Sequence, residues 1–249
     1  MGKRIKGFLF SVLILMLLIG AHESGHFTAM KIFDVSVQEV SIGFGPRLFK
    51  IPVAGTDWSL RLIPFGGSTA PTKEGTMQIY KLIVWKQFII YLAGIAANLL
   101  VFVALMTWVG AKYYRTPKKL WLPNAVVFIW LTLRTYWYFM KMIVIYVNPA
   151  IKSKPSFSGL ILCPEILRMS RPKLKFAIEI CLILILLNLV PLYPLDGGRV
   201  IESLIIAFLP IPILLFVFDT VSMYIFAVIF LFLNFNRHFW RNFRLINFQ

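Results

Sequence analysis

From Gly7 to Met30 the chain holds a single charged residue, Glu23, inside the cluster His22-Glu23-Ser24-Gly25-His26, and this run restricts the fold more than any other stretch. At a helical rise of about 1.5 Å per residue it reaches about 36 Å, long enough to cross a bilayer with the cluster in the second half of the crossing. The same start, with Lys3, Arg4 and Lys6 before the apolar run and Gly20-Ala21 near a cleavage position, also suits a signal peptide. Two of the three histidines of the whole chain and an acid thus lie where water is scarce.

The rest of the chain supports a membrane setting. It is 59% hydrophobic and only 14% charged, with a mean hydropathy of +0.79, which exceeds what a soluble core and its polar surface need. Its 26 Lys and Arg against 10 Asp and Glu would suit a nucleic-acid binder, but the basic residues lie between apolar segments instead of in one soluble domain. Lipid headgroups are therefore the expected acidic partner, and no nucleic acid is expected. Cys163 and Cys181 have no metal-ligand spacing, and a disulfide between them is not required by anything in the sequence.

The sequence reads as a polytopic α-helical membrane protein with four to five membrane spans and a small membrane-associated β-sheet after the first span. A single membrane-embedded domain, 1–249, is expected, of the multi-pass integral kind found in a bacterial cell membrane. The first span covers about 7–30. Residues 35–70 read as strands and turns: "DWSLRL" alternates, "VAGTD" has turn composition, and "SIGFGPRLF" and "IPFGGST" are rich in Gly and Pro. Unpaired backbone cannot face lipid, so this sheet lies at the surface or in a protein-lined cavity. A second span is expected at about 85–111, where Gly94, Ala97 and Asn98 allow close helix packing.

Residues 121–147 are apolar enough to span, yet Arg134, Tyr138 and Lys141 share one face as in an interfacial helix, and both readings stand. A Pro-containing connector, 148–173, leads to a span over about 174–209 and a last one over about 211–233. The Arg- and aromatic-rich tail suits an interface anchor. If 121–147 spans, the basic loops share one side, which places the nearer face of the histidine cluster in the cytoplasm. If it lies flat, that count weakens and partly reverses.

His22, Glu23 and His26 form His-Glu-x-x-His. Four residues is just over one helical turn, so both imidazoles leave one face at a separation that one zinc ion bridges, and Glu23 can reach a water on that ion. Zinc lowers the pKa of such a water, and a carboxylate takes its proton as it attacks a carbonyl carbon, which hydrolyses amide bonds. A carboxylate deep in a membrane helix is costly without a partner, which favours a metal over a chance occurrence of the pattern.

The third ligand has to be a carboxylate or cysteine from another segment, since His238 is isolated in the basic tail. Of the acids near apolar segments, Glu179, Asp196, Glu202 and Asp219, the second stands apart. Pro191 and Pro194 remove backbone donors beside it, and Gly197 and Gly198 permit unusual dihedrals, so the helix should open there and turn Asp196 inward. Glu202 can instead pair with Arg199 at i, i+3, and Asp219 suits helix packing.

At these residues the chain resembles the site-2 protease family of intramembrane zinc metalloproteases. His22-Glu23-Ser24-Gly25-His26 matches the family's zinc motif, and Asn188 to Gly197, "NLVPLYPLDG", matches its Asn-x-x-Pro-x-x-Pro-x-Asp-Gly motif. "SIGFGP" (41–46), "PFGG" (64–67) and "GIAAN" (94–98) look like secondary features in the family's order. The resemblance implies that His22, His26 and Asp196 hold Zn2+ and that Glu23 is the catalytic base. It also implies that Asn98 and Asn188 position the substrate or stabilise the oxyanion, and that the Gly-rich strands guide an unwound substrate segment. Ser158-Gly159-Leu160 departs from the family's Ser-Gly-Pro, Ser24 stands where leucine is frequent, and no segment suits the PDZ or CBS domain that some members carry.

The expected function is intramembrane hydrolysis of peptide bonds in a single-span membrane protein, a form of regulated intramembrane proteolysis. The alternative is a membrane metal or ion transporter that uses the same His and Asp residues. A transport path spreads polar groups over depth and over several helices, whereas here they gather into two motifs.

Overall fold

A computed structural model of the chain describes residues 2–113, 172–209 and 211–235. The expected 121–147 helix, most of the 148–173 connector, Cys163 and His238 lie outside the described residues. In chain order the elements are α1 (Gly2–Ile32), β1 (Val37–Val53), β2 (Thr56–Pro71), α2 (Lys73–Lys81), α3 (Val84–Tyr113), α4 (Pro172–Asn188), α5 (Asp196–Phe208) and α6 (Pro212–Phe235). They fall into two compact units, residues 1–104 with 176–222, and 105–175 with 223–249. In the second unit the described residues are helical ends of α3, α4 and α6. Everything that follows concerns the first.

Three helical stretches are long and apolar enough to cross a membrane, Ile5–Ile32, Val84–Leu105 and Pro212–Ile229, and a shorter apolar helix covers Phe176–Asn188. The two halves of α1 meet different surroundings. Phe8, Leu9, Leu13 and Leu17 are exposed, as lipid-facing side chains are. From Leu18 onward one stripe is covered, namely Leu18, Ile19, His22, Glu23, His26, Ala29 and Met30, at helical spacing. The helix stops where Asp34 takes a left-handed conformation (φ 57°) and the Val35 amide donates back to the Met30 carbonyl at 2.9 Å.

The sheet follows at once and packs on that covered stripe. Ala29, Met30, Val35, Val37, Val40, Ile79 and Ile90 form a buried cluster, with Phe27 set edge-on against Trp58 at its margin. β1 and β2 are antiparallel, paired from Val53↔Thr56 at the hairpin to Val37↔Pro71 at the far end, with bulges that bend both strands. The hairpin turns on Ala54 (φ 51°) and Gly55 (φ 73°), two successive positive φ values that match the twist of the strands and that glycine adopts at no steric cost. The alternation in "DWSLRL" does make a strand, yet it is Thr56 and Ser59 that are buried while Leu62 is exposed. Thr56 and Ser59 lie on opposite faces of the strand, and in an apolar environment each polar group needs its own cover.

The Thr56 hydroxyl donates to the Val37 carbonyl at 3.2 Å, and Ser59 meets a charge cluster. Glu39 accepts from Arg61 at 2.9 Å, from Arg47 at 2.8 Å and from the Ser59 hydroxyl. Burial raises the Glu39 carboxyl, but the Ser59 hydroxyl and the two guanidinium groups outweigh it and hold the group below the usual carboxylate range.

The expected 174–209 span is two helices. α4 ends at Asn188 and α5 begins at Asp196, and the turns between them satisfy their own backbone, for example Leu192 N to Val190 O at 2.8 Å and Leu195 N to Leu192 O at 2.9 Å. The prolines open the helix as expected, but Gly197 and Gly198 do not contribute unusual dihedrals. Both are helical, and their value is clearance: a Cβ on either would run into the carbonyls of Leu189, Val190 or Leu192.

Because Glu39 has a lowered pKa, its share of stability is present above the unfolded carboxylate pKa and disappears as pH falls through the folded one. Glu39→Gln is therefore expected to lower the thermal midpoint at neutral pH, with the gap to wild type closing as pH falls below the usual carboxylate range. Thermal unfolding in detergent at several pH values checks this, and a gap that widens in acid contradicts it.

Candidate metal centre

The buried stripe of α1 presents His22 and His26 one turn apart, each 7% exposed. α5 begins at Asp196, whose carboxylate meets both rings: Oδ2 lies 3.0 Å from His22 Nε2 and 3.4 Å from His26 Nε2, and the two Nε2 atoms are 3.2 Å apart. Among the described residues this is the cluster of His, Cys, Asp and Glu able to hold a metal ion. Asp196 Oδ2 is buried, and the partners it meets there are the two imidazole Nε2 atoms.

The three spacings test which ion fits. Ligand bonds of about 2.0–2.1 Å in a tetrahedral site put neighbouring donor atoms about 3.3 Å apart. The observed triangle of 3.0, 3.2 and 3.4 Å agrees with that value. Two imidazoles and one carboxylate also make the open three-ligand set of a catalytic zinc site, with the fourth position left over.

One face of α3, well inside the helix, forms the bed under the rings. His26 Nδ1 meets the Ile90 carbonyl at 2.7 Å, and His22 Nδ1 meets the Asn98 side chain at 3.3 Å. Gly94 lies between these two residues on the same helix face. A Cβ there would sit within 2.8 Å of three imidazole atoms, so only glycine leaves the rings their place. Gly25 does the same for the helix contact, since a Cβ on it would strike the Ala93 carbonyl and Ala97.

Glu23 is 6% exposed and turns towards β2. Thr69 Oγ1 donates to its carboxylate Oε2 at 2.8 Å, and Gly67 packs so closely that a Cβ would lie 2.9 Å from Glu23 Oε1. Glu23 is thus held by the sheet, while its two histidine neighbours are held by α3 and α5.

Of the residues singled out in the sequence, His22, Glu23, His26, Asp196 and Asn98 come together here. Asn188 is at the end of α4, where its amide donates to the Leu184 carbonyl at 3.1 Å. Glu202 pairs with Arg199 at 3.1 Å and accepts from Tyr80 at 3.3 Å, so it serves the fold near α5. Thr69 and the Ile90 carbonyl escape sequence reading. The "GGST" run signals a turn-rich strand but not which hydroxyl meets Glu23, and a backbone carbonyl has no sequence signature. Gly94 is visible only as a packing residue.

Comparison with known proteins gives a consistent result. The profile of Peptidase family M50 matches residues 10–233. A Fusobacterium nucleatum protein is 37% identical over 101 residues, 37% of this chain and 29% of that protein. A Thermotoga maritima protein is 34% identical over 93 residues, 33% of this chain and 19% of its own length. One from Helicobacter pylori is 48% identical over 60 residues, 24% of this chain and 17% of its length. All three are described as "Putative zinc metalloprotease". The matched stretches thus span less than a third of these relatives.

Asp196→Asn is expected to cut the zinc retained by the purified protein from about one ion per chain to a small fraction. Gly94→Ala is expected to do the same by displacing both imidazoles. Metal analysis after dialysis reads both, and full zinc content in either variant contradicts the assigned site.

Proposed function

The chain belongs to Peptidase family M50, a family of membrane-embedded metallopeptidases, and on that footing we propose that it is an intramembrane zinc endopeptidase. Its substrates are membrane-anchored proteins, cut within or near the bilayer. The observation that carries this reading is the meeting of His22, His26 and Asp196 at one buried point, next to a buried carboxylate, on a helix long enough to cross a membrane.

His22 Nε2, His26 Nε2 and Asp196 Oδ2 would hold the ion. Zinc in such a site polarises a peptide carbonyl and makes water acidic enough to be deprotonated near neutral pH. With the ion bound, the Glu23 carboxylate would accept a proton from the attacking water and pass it to the amine that leaves. Thr69 keeps the carboxylate in one orientation, and the buried setting excludes the bulk water that would weaken every charge interaction. A substrate helix has to unwind first, because its peptide carbonyls are engaged in helical hydrogen bonds. The Gly-rich strands next to Glu23 suit an extended segment.

A transport path draws less support. Among the described residues the metal-binding side chains converge on one point, and Glu202, a further buried acid, is already paired with Arg199.

Glu23→Gln is expected to keep its zinc and lose roughly 10²- to 10⁴-fold in cleavage rate. The assay is a membrane-anchored test substrate reconstituted with the protein in vesicles. Cleavage at the wild-type rate removes Glu23 as the base, and zinc flux into the vesicles without any cleavage favours transport.

A further inference from the structure

The two imidazoles are supported in unequal ways. A neutral histidine that gives its Nε2 lone pair to a metal carries its proton on Nδ1, and that N–H needs an acceptor. His26 has one, the Ile90 carbonyl at 2.7 Å. His22 Nδ1 instead faces Asn98 Nδ2 at 3.3 Å, donor to donor, while Asn98 Oδ1 is buried with no hydrogen-bond partner. The oxygen and nitrogen of a side-chain amide are nearly equal in size, so a half-turn about the Cβ–Cγ bond exchanges them without changing the packing. That half-turn replaces the donor–donor contact by an N–H···O bond and leaves the NH2 where Oδ1 now lies.

We propose that Asn98 is the positioning residue of His22, its Oδ1 accepting the Nδ1–H as the Ile90 carbonyl does for His26. This rests on the zinc reading of the site. Both imidazoles then present a bare Nε2 to the ion, and both are oriented from one face of α3, on which Ile90, Gly94 and Asn98 follow one another at intervals of four residues. Asn98 has no exposed surface, and the Cys181 thiol donates to its backbone carbonyl at 3.2 Å from the other side. A group that binds a substrate carbonyl needs an open approach, whereas a group that fixes a ligand from behind needs none. Complete burial therefore assigns the amide to the histidine and not to the substrate.

The test is zinc affinity, read by competition with a chelator of known affinity on the purified full chain, alongside cleavage of the membrane-anchored substrate. Asn98→Leu, close in volume but without an acceptor, is expected to weaken zinc binding about 10- to 100-fold. Asn98→Asp, which keeps an acceptor oxygen, is expected to stay within a few-fold of wild type, and its affinity alone remains decisive if the leucine variant does not fold. Wild-type affinity in Asn98→Leu, with cleavage lost, overturns the proposal and moves Asn98 to the substrate. So does an Asn98→Asp variant that releases zinc as readily as a foldable Asn98→Leu. A wild-type chain that takes up no zinc overturns the proposed function itself, and this inference with it.

Discussion

A polar side chain on a membrane helix has no solvent to turn to, so each one on α1 has to find its partner inside the protein. His22, Glu23 and His26 find theirs on three different elements. Asp196 reaches them from α5, Thr69 from β2, and Ile90 and Asn98 from α3. Much of the first unit follows from meeting that need. The sheet packs on the covered half of α1, where Thr69 meets Glu23, and α3 comes close because Gly25 and Gly94 remove the side chains that would hold it off.

The same requirement shapes the break between α4 and α5. A helix running on through residues 189–195 would pass the histidines without offering a carboxylate from its first turn. Pro191 and Pro194 end one helix and allow another to start at Asp196, and the turns between them satisfy their own backbone. Downstream, Arg199 bonds Glu202 and stacks over Tyr193, and Tyr80 of α2 reaches the same glutamate. α5 is thereby tied to the helix that follows the sheet, so the element carrying Asp196 and the element carrying Thr69 are held in one framework.

Much of this was legible in the residues themselves. His-Glu-x-x-His announces its geometry because the helical period alone puts both rings on one face. Asp196 could be selected from four acids because prolines and glycines surround it, although the glycines turned out to serve clearance and not dihedral freedom. The strands were legible from Gly, Pro and alternation, but their covered face was not. A rule made for water expects Leu inside, and here Thr56 and Ser59 are the buried positions. Thr69 stayed hidden because which hydroxyl meets a carboxylate depends on how a bent strand crosses a helix.

The sequence by itself determined that the chain crosses a membrane, that two histidines share one helix face with a glutamate beside the first, and that the aspartate helix opens at its prolines. Each of these depends on local periodicity, chain stiffness or the cost of exposing backbone to lipid, all of which act over a few turns. Only the tertiary structure decided that Asp196 closes the triangle at 3.0 and 3.4 Å, that Gly94 leaves room for the rings, and that Asn98 lies fully buried behind His22. Those are contacts between segments far apart in the chain, and their distances are set by the packing of whole helices and a sheet, which no short stretch of sequence contains.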